Sequence, residues 1–331
     1  MRAPPTPPRR RSAALAAAAL ALLAGAAEPE GSAPAPEREP CSLPGMVDDL
    51  RAALHDGSPA LQKYQKFLLK EAAMRVPPER LRAAFAAERD PGVLEALGAA
   101  IASRASNAGE PAAFAPVVER ARRDADPALR AASLRGLRGF GSVEAMAASG
   151  RTSYADFARD PAPEVRQAAA ENLLHESQKV YFGHERAVSE AAVEAAAALA
   201  DPALAAKLLA GTSMEQAGPA AVEKLVEKLS ADDAGLRAAA AKALGDVSAA
   251  QAGAAQRALL ERYRAEPERE VRAAILEGLA HLGLGAAAPT LESLRGVDPA
   301  LAPEIDAWLK ALATGLQEWS LIVREKQRLQ G

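Results

Sequence analysis

Four histidines, His55, His175, His184 and His281, are among the scarcest chemistry-bearing side chains in this 331-residue chain. No two stand four residues apart, the spacing that sets two imidazoles on one helix face for a metal, and no cysteine stands near to complete a site. Gly283-Leu284-Gly285-Ala286-Ala287-Ala288 imitates a dinucleotide fingerprint, but it follows a helical pattern where that motif needs a strand. No nucleophile elbow, Walker or kinase motif occurs, and the many carboxylates fall on mixed-sign faces without an isolated acid–base pair. No catalytic residue, metal or cofactor is expected.

Two clusters remain. His175-Glu176 and His184-Glu185 flank the stretch SQKVYFG, where His, acid, Tyr181 and Phe182 come together. It is read as a solvated loop with its aromatics packed down, and partner binding through His175, Tyr181, Phe182 and His184 is the alternative. Arg130, Arg135 and Arg138 crowd a second stretch, where Arg135 and Arg138 are candidates for partner contact on what otherwise reads as a solvated helix face.

These residues sit in a chain with 49 % hydrophobic but only 4 % aromatic residues, the apolar part being mostly Ala, Leu and Val. Ala and Leu are the strongest helix formers, so the composition predicts an all-α protein. Forty basic against 43 acidic residues leave a net charge of −3. Residues 1–27 hold four arginines and no acid, and without them the net charge is −7. A mildly acidic chain poor in aromatics is unsuited to nucleic acid and to anionic membrane surfaces.

The N-terminus reads as an export signal over residues 1–27. A basic stretch (MRAPPTPPRRRS) precedes an apolar run of 15 residues that ends in small side chains. The run is shorter than the roughly 20 residues a spanning helix needs. An uncleaved N-terminal anchor is the alternative. Residues 28–45, with five prolines, read as a disordered spacer. Cys41 cannot form an internal disulfide and reads as an unpaired thiol. The expected location is the periplasm or the exterior.

From residue 46 helical periodicity hardly stops, and a turn with Pro or Asp punctuates it. After each turn the first apolar residue is Val93, Leu129, Val165, Leu204, Leu236, Val271 or Leu301. In the clearest copies small or apolar residues follow three, four and eight positions on, as in Ala132, Ser133, Leu137 and Ala274, Ile275, Leu279. Those steps return to one face of an α-helix. The anchors are 36, 36, 39, 32, 35 and 30 residues apart, a period typical of stacked helix pairs. Partner helices are predicted at 111–123, 142–158, 184–199, 219–229, 248–264 and 285–295. Proline in the first turn matches the helical φ, and the preceding Asp caps free N–H groups.

At this point the chain resembles HEAT repeats, in which an acid stands six residues before a base that opens the second helix. Asp124/Arg130 and Asp160/Arg166 fit, and Glu266/Arg272 fits with Glu for Asp. Arg237 has Ala231 six back, and Leu94, Ala205 and Ala302 replace the base in three units. The DPxVRxAAxxxL flavour resembles the phycobilisome-lyase type of HEAT-like repeat. The resemblance implies an α-solenoid of about seven helix pairs over 78–314 and a structural ladder of Asp124, Arg130, Asp160, Arg166, Arg237, Glu266 and Arg272. Residues 46–77, with a face of Leu61, Tyr64, Phe67, Leu68 and Met74, and residues 315–331 are expected to cap its ends. The expected function is a non-catalytic protein-binding scaffold. A bilin-lyase-like enzyme or pigment-binding chaperone and a self-assembling envelope protein are the alternatives.

Overall fold

A computed structural model describes residues 42–149, 152–179 and 183–330, without the side chains of 147–149. The expected export signal, most of the spacer, Cys41, Tyr181 and Phe182 lie outside these residues. Among the described residues every regular element is helical. The chain begins with α1 (Leu43–Asp56), α2 (Pro59–Ala73), α3 (Pro78–Ala87) and α4 (Pro91–Ala108). It continues through α5 (Ala115–Arg123), α6 (Pro127–Arg135), α7 (Ser142–Ser149), α8 (Tyr154–Ala158), α9 (Pro163–Ser177) and α10 (Glu185–Ala198). Then come α11 (Pro202–Ala210), α12 (Pro219–Lys228), α13 (Ala234–Gly245), α14 (Ala249–Ala265) and α15 (Arg269–Gly283). Last are α16 (Ala288–Arg295), α17 (Ala302–Leu312) and α18 (Trp319–Gln330).

All seven anchor residues are buried: six lie on α4, α6, α9, α11, α13 and α15, and Leu301 ends a 3-10 turn before α17. Along this series each helix packs on the next, α4 on α6, α6 on α9, α9 on α11, and so to α17. Aspartates just ahead of α4, α6, α11 and α13 cap them, whereas Ala162 before α9 and Glu268 before α15 make no side-chain cap bond. Asp90 accepts from Val93 N–H (2.9 Å), Asp126 from Ala128 N–H (2.8 Å) and Asp233 from Leu236 N–H (2.8 Å). Each bond occupies one of the four donors that a helix N-terminus leaves open.

Close approach within the series depends on small residues. A Cβ on Gly278 of α15 would lie 2.4 Å from the Ala241 carbonyl oxygen of α13. One on Gly245 of α13 would lie 2.7 Å from Gly278 Cα. Arg269–Arg295 is the one run among the described residues long and apolar enough to cross a membrane. Its Ile275, Leu276 and Leu279 are buried against protein, and a 3-10 turn with Leu284 at φ 45° breaks it.

Several expectations need correction. The spacer expected through residue 45 gives way to helix earlier: Ser42 accepts from Gly45 N–H (3.2 Å), and Pro44 fits the first turn of α1. The partner helix expected over 142–158 is two helices. Ser153 and Asp156 form a capping box that starts α8 afresh, Ser153 N–H donating to Asp156 Oδ2 at 2.8 Å. The segments at 111 and 285 each open with a 3-10 turn. The terminal helix starts at Trp319, whose ring stacks between His281 (4.2 Å) and Trp308 (5.2 Å). The largest departure is α2, which buries Leu69 and Ala73 and turns Leu61, Tyr64 and Phe67 to solvent, as does Met74 just after it.

Candidate functional site

The acid–base pairs line one edge of the anchored helices. Arg130 Nε and a terminal nitrogen donate to Asp160 at 3.0 and 2.8 Å, and its other nitrogen donates to the Asp124 carbonyl at 3.0 Å. Arg237 repeats this fork on Glu266 (2.9 and 2.9 Å) and donates to the Ala231 carbonyl (2.9 Å). Arg272 reaches Asp298 at 3.2 Å. The base therefore takes a backbone carbonyl from its own turn and a carboxylate from the next turn, about 30 residues on. Ala231 can replace an acid because the contact there is to main chain. Arg166 donates to the Asp160 and Pro161 carbonyls (2.9 and 2.8 Å), and Asp124 accepts from Arg120 (3.0 Å).

Glu266 is buried at 3 % exposure. Desolvation opposes its charge, yet hydrogen bonds from Arg237, Glu268 N–H and Arg262 outweigh that and hold its pKa down to about 2. Bidentate, charge-assisted bonds of this kind are the strong ones. They tie turn to turn; nothing about them activates a ligand.

The arginine cluster is engaged inside the chain. Arg135 pairs with Glu95 of α4 (3.2 Å), and Arg138 with Glu171 (2.8 Å) and Asn172 (3.2 Å) of α9. Lys242 likewise meets Glu277 (2.8 Å). The alternating signs along the anchored helices are thus cross-helix partners, which leaves no open cationic stripe at Arg135 and Arg138.

The His175–His184 region gathers around Glu176 rather than around the histidines. Gly139 and Gly141, at φ 81° and 69°, turn the chain between α6 and α7. The buried Glu176 carboxyl accepts N–H bonds from Gly139 (3.1 Å), Gly141 and Ser142. Burial raises its pKa, while Lys179 and these N–H groups act in the opposite sense. Lys179 donates to the Gly139 carbonyl at 2.8 Å, and His184 pairs with Glu144 of α7. Burial, Lys179 and Arg138 lower the pKa of His175. Beneath lies a buried polar set: Tyr154 Oη contacts Ser142 Oγ (2.6 Å) and accepts from Asn172 (3.3 Å), and Asn172 also donates to the Leu134 carbonyl (2.6 Å). Burial pushes the Tyr154 phenol well above its ordinary range. Two clefts of about 400 and 260 Å³ meet at Glu176 and His184. The carboxylate at their junction is already filled with donors, so it clamps a turn and is poorly placed to move a proton.

A larger cleft, about 1120 Å³, lies at the N-terminal end between the start of α1, the end of α2 and α3. Leu43, Met46, Leu68, Ala72, Ala83 and Ala87 supply its apolar lining. Arginines from later helices hold its walls: Arg104 of α4 donates to the Ala73 carbonyl (2.9 Å), and Arg120 of α5 to the Phe85 and Glu88 carbonyls. Around it Arg51 is paired with Asp48 and Glu88 (2.7 Å each), and Arg89 donates to the Ala86 and Glu88 carbonyls. Among the described residues the side chains of Arg75, Arg80 and Glu71 have no polar partner.

No protein-family model and no curated protein matches the chain. Among solved structures it is similar to a crystal structure of an engineered protein, at 19 % identity over 85 % of this chain and 82 % of that one, with a TM-score of 0.41. A likeness of that size carries no argument about fold or function. Among the described residues no group of three or more His, Cys, Asp or Glu side chains converges as metal ligands would.

Sequence reasoning missed Glu176 as the centre of its cluster, Asp298 as an acceptor in the edge pairs, and the Arg75–Arg80 cleft. A Gly-x-Gly-Ser turn 35 residues before a buried acid signals nothing until the fold joins them. Asp298, by contrast, could be read from its place before Pro299.

Proposed function

We propose that the chain is a HEAT-like α-solenoid and serves as a non-catalytic scaffold that docks another protein in the cell envelope or outside the cell. The observation that carries this reading is the outward apolar face of α2. Tyr64 and Phe67 are each 56 % exposed, with Leu61 and Met74 beside them, and the cleft opens along the same helix. Contiguous exposed apolar surface rich in aromatics is costly to leave in water and marks interaction sites. Serial packing of the anchored helices and the turn-to-turn fork bonds support the repeat reading. The pattern of residues 1–27 supports export.

The test is capture from the native envelope fraction with the wild-type chain and with the Tyr64→Glu/Phe67→Glu variant. A partner retained by the first and lost by the second is expected, with unchanged circular dichroism because both side chains already face water. Identical capture by both would sink the proposal. Fractionation of cells expressing the chain checks export, the expected result being mature protein outside the cytoplasm.

A further inference from the structure

The cleft beside α2 has the shape and charge of a seat for one more helix. Its walls are Leu68 and Ala72 on α2, Arg75 in the turn after it, and a ridge at helical spacing on α3, Arg80, Ala83, Ala84 and Ala87. Alanines on such ridges leave a shallow groove, and the ridge of an approaching helix fills it at an interaxial distance of roughly 8–10 Å. The chain packs its own helices in this way elsewhere, through small residues between α13 and α15. The cleft, at about 1120 Å³, exceeds the roughly 300–1,000 Å³ typical of pockets that enclose a small molecule. It also stays open along one side, since Ala83 and Ala87 remain exposed. Both features favour an elongated ligand.

Charge selects among such ligands. Arg51 is spent on Asp48 and Glu88. Among the residues lining the cleft, Arg51, Arg75, Arg80 and Arg89 stand against Glu71 and Glu88, four cations to two anions, and Arg75 and Arg80 are without an opposite charge. This surplus belongs to a chain whose net charge is −3. Complementary charge around an apolar strip selects the partner and speeds the encounter.

We infer that the cleft between α1, α2 and α3 takes an acidic amphipathic helix of another protein, its apolar side on Leu68, Ala72 and Ala84 and its carboxylates against Arg75 and Arg80. The inference rests on the docking function proposed above and names the chemistry of the partner.

The experiment presents the full chain with a displayed library of random helical peptides, with anionic vesicles (phosphatidylglycerol and phosphatidylcholine) in a parallel arm. Enriched peptides are expected to carry apolar residues at i, i+3 or i+4 and i+7 and a net negative charge. The Arg75→Glu/Arg80→Glu variant should bind them about tenfold more weakly or worse. Both arginines are exposed, and an unchanged thermal transition shows that the variant folds. Enrichment of neutral or basic peptides, undiminished binding by the variant, absence of any binder, or binding of vesicles instead overturns the inference. If the capture experiment still yields a partner that depends on Tyr64 and Phe67, the scaffold reading survives that outcome and the acidic helix alone falls.

Discussion

Arg237 holds Glu266 in a two-bond fork across 29 residues of sequence, each nitrogen–oxygen distance being 2.9 Å, and both side chains are almost wholly withdrawn from water. Among the described residues Arg237 finds its one carboxylate partner in Glu266, whereas Glu266 also accepts from Arg262 at 2.8 and 2.7 Å. Arg237→Ala leaves Glu266 its bonds from Arg262 and is expected to cost about 1.5–3 kcal/mol, the range for losing hydrogen bonds to a charged group. Chemical denaturation of single and double variants, with Glu266→Gln as the second change, measures it. Strictly additive losses would show that the fork carries no coupling.

The same carboxylate sets a pH dependence. Its folded pKa, about 2, lies below the ordinary value of 4.5. A depressed acid contributes stability that is present above the unfolded pKa and disappears as pH falls through the folded one. Wild type should lose up to about 3 kcal/mol from this site between roughly pH 5 and 2. Glu266→Gln should show a shallower loss over that window. Parallel stability–pH curves for the two proteins would contradict the assignment.

Two glycines test the close approach of helices. Gly278→Ala drives a methyl group toward the Ala241 carbonyl, 2.4 Å away, and should destabilise by about 1–3 kcal/mol or more. At Gly253, inside α14, a methyl group would meet only the end of the Arg257 side chain, at 3.8 Å. Gly253→Ala should therefore stabilise by about 0.5–1 kcal/mol through helix propensity. Thermal melts of the pair give opposite shifts if the contact geometry governs.

Trp319 seats the last helix by stacking between His281 and Trp308. Removing the ring deletes the aromatic contacts and leaves Ile322 as the buried apolar residue of α18. Trp319→Ala is expected to abolish amide-exchange protection over 319–330 while protection in α13 and α15 stays. Uniform protection across both regions would mean that α18 docks by other contacts.

Much of the architecture was legible in the residues. Val93, Leu129, Val165, Leu204, Leu236, Val271 and Leu301 are buried, and Asp90, Asp126, Asp201 and Asp233 cap the helices that follow them. Each signal is local: an apolar face recurs within two turns, and a cap needs only its next few neighbours. The short break between α7 and α8 was also local, in Ser153 and Asp156, but it is weaker than the helical run around it.

What the sequence by itself determined is therefore the helical content, the register of the anchors and the helix starts, because bonds and burial within a few residues decide them. Tertiary structure decided which carboxylate each arginine grips, that Glu176 fills the Gly139–Ser142 turn, and that Tyr64 and Phe67 face water. Those outcomes depend on which surfaces stacking brings within about 3 Å across 29 or more residues, and on which side of an amphipathic helix finds a neighbour. A periodic pattern marks an apolar face; it does not say whether another helix arrives to cover it.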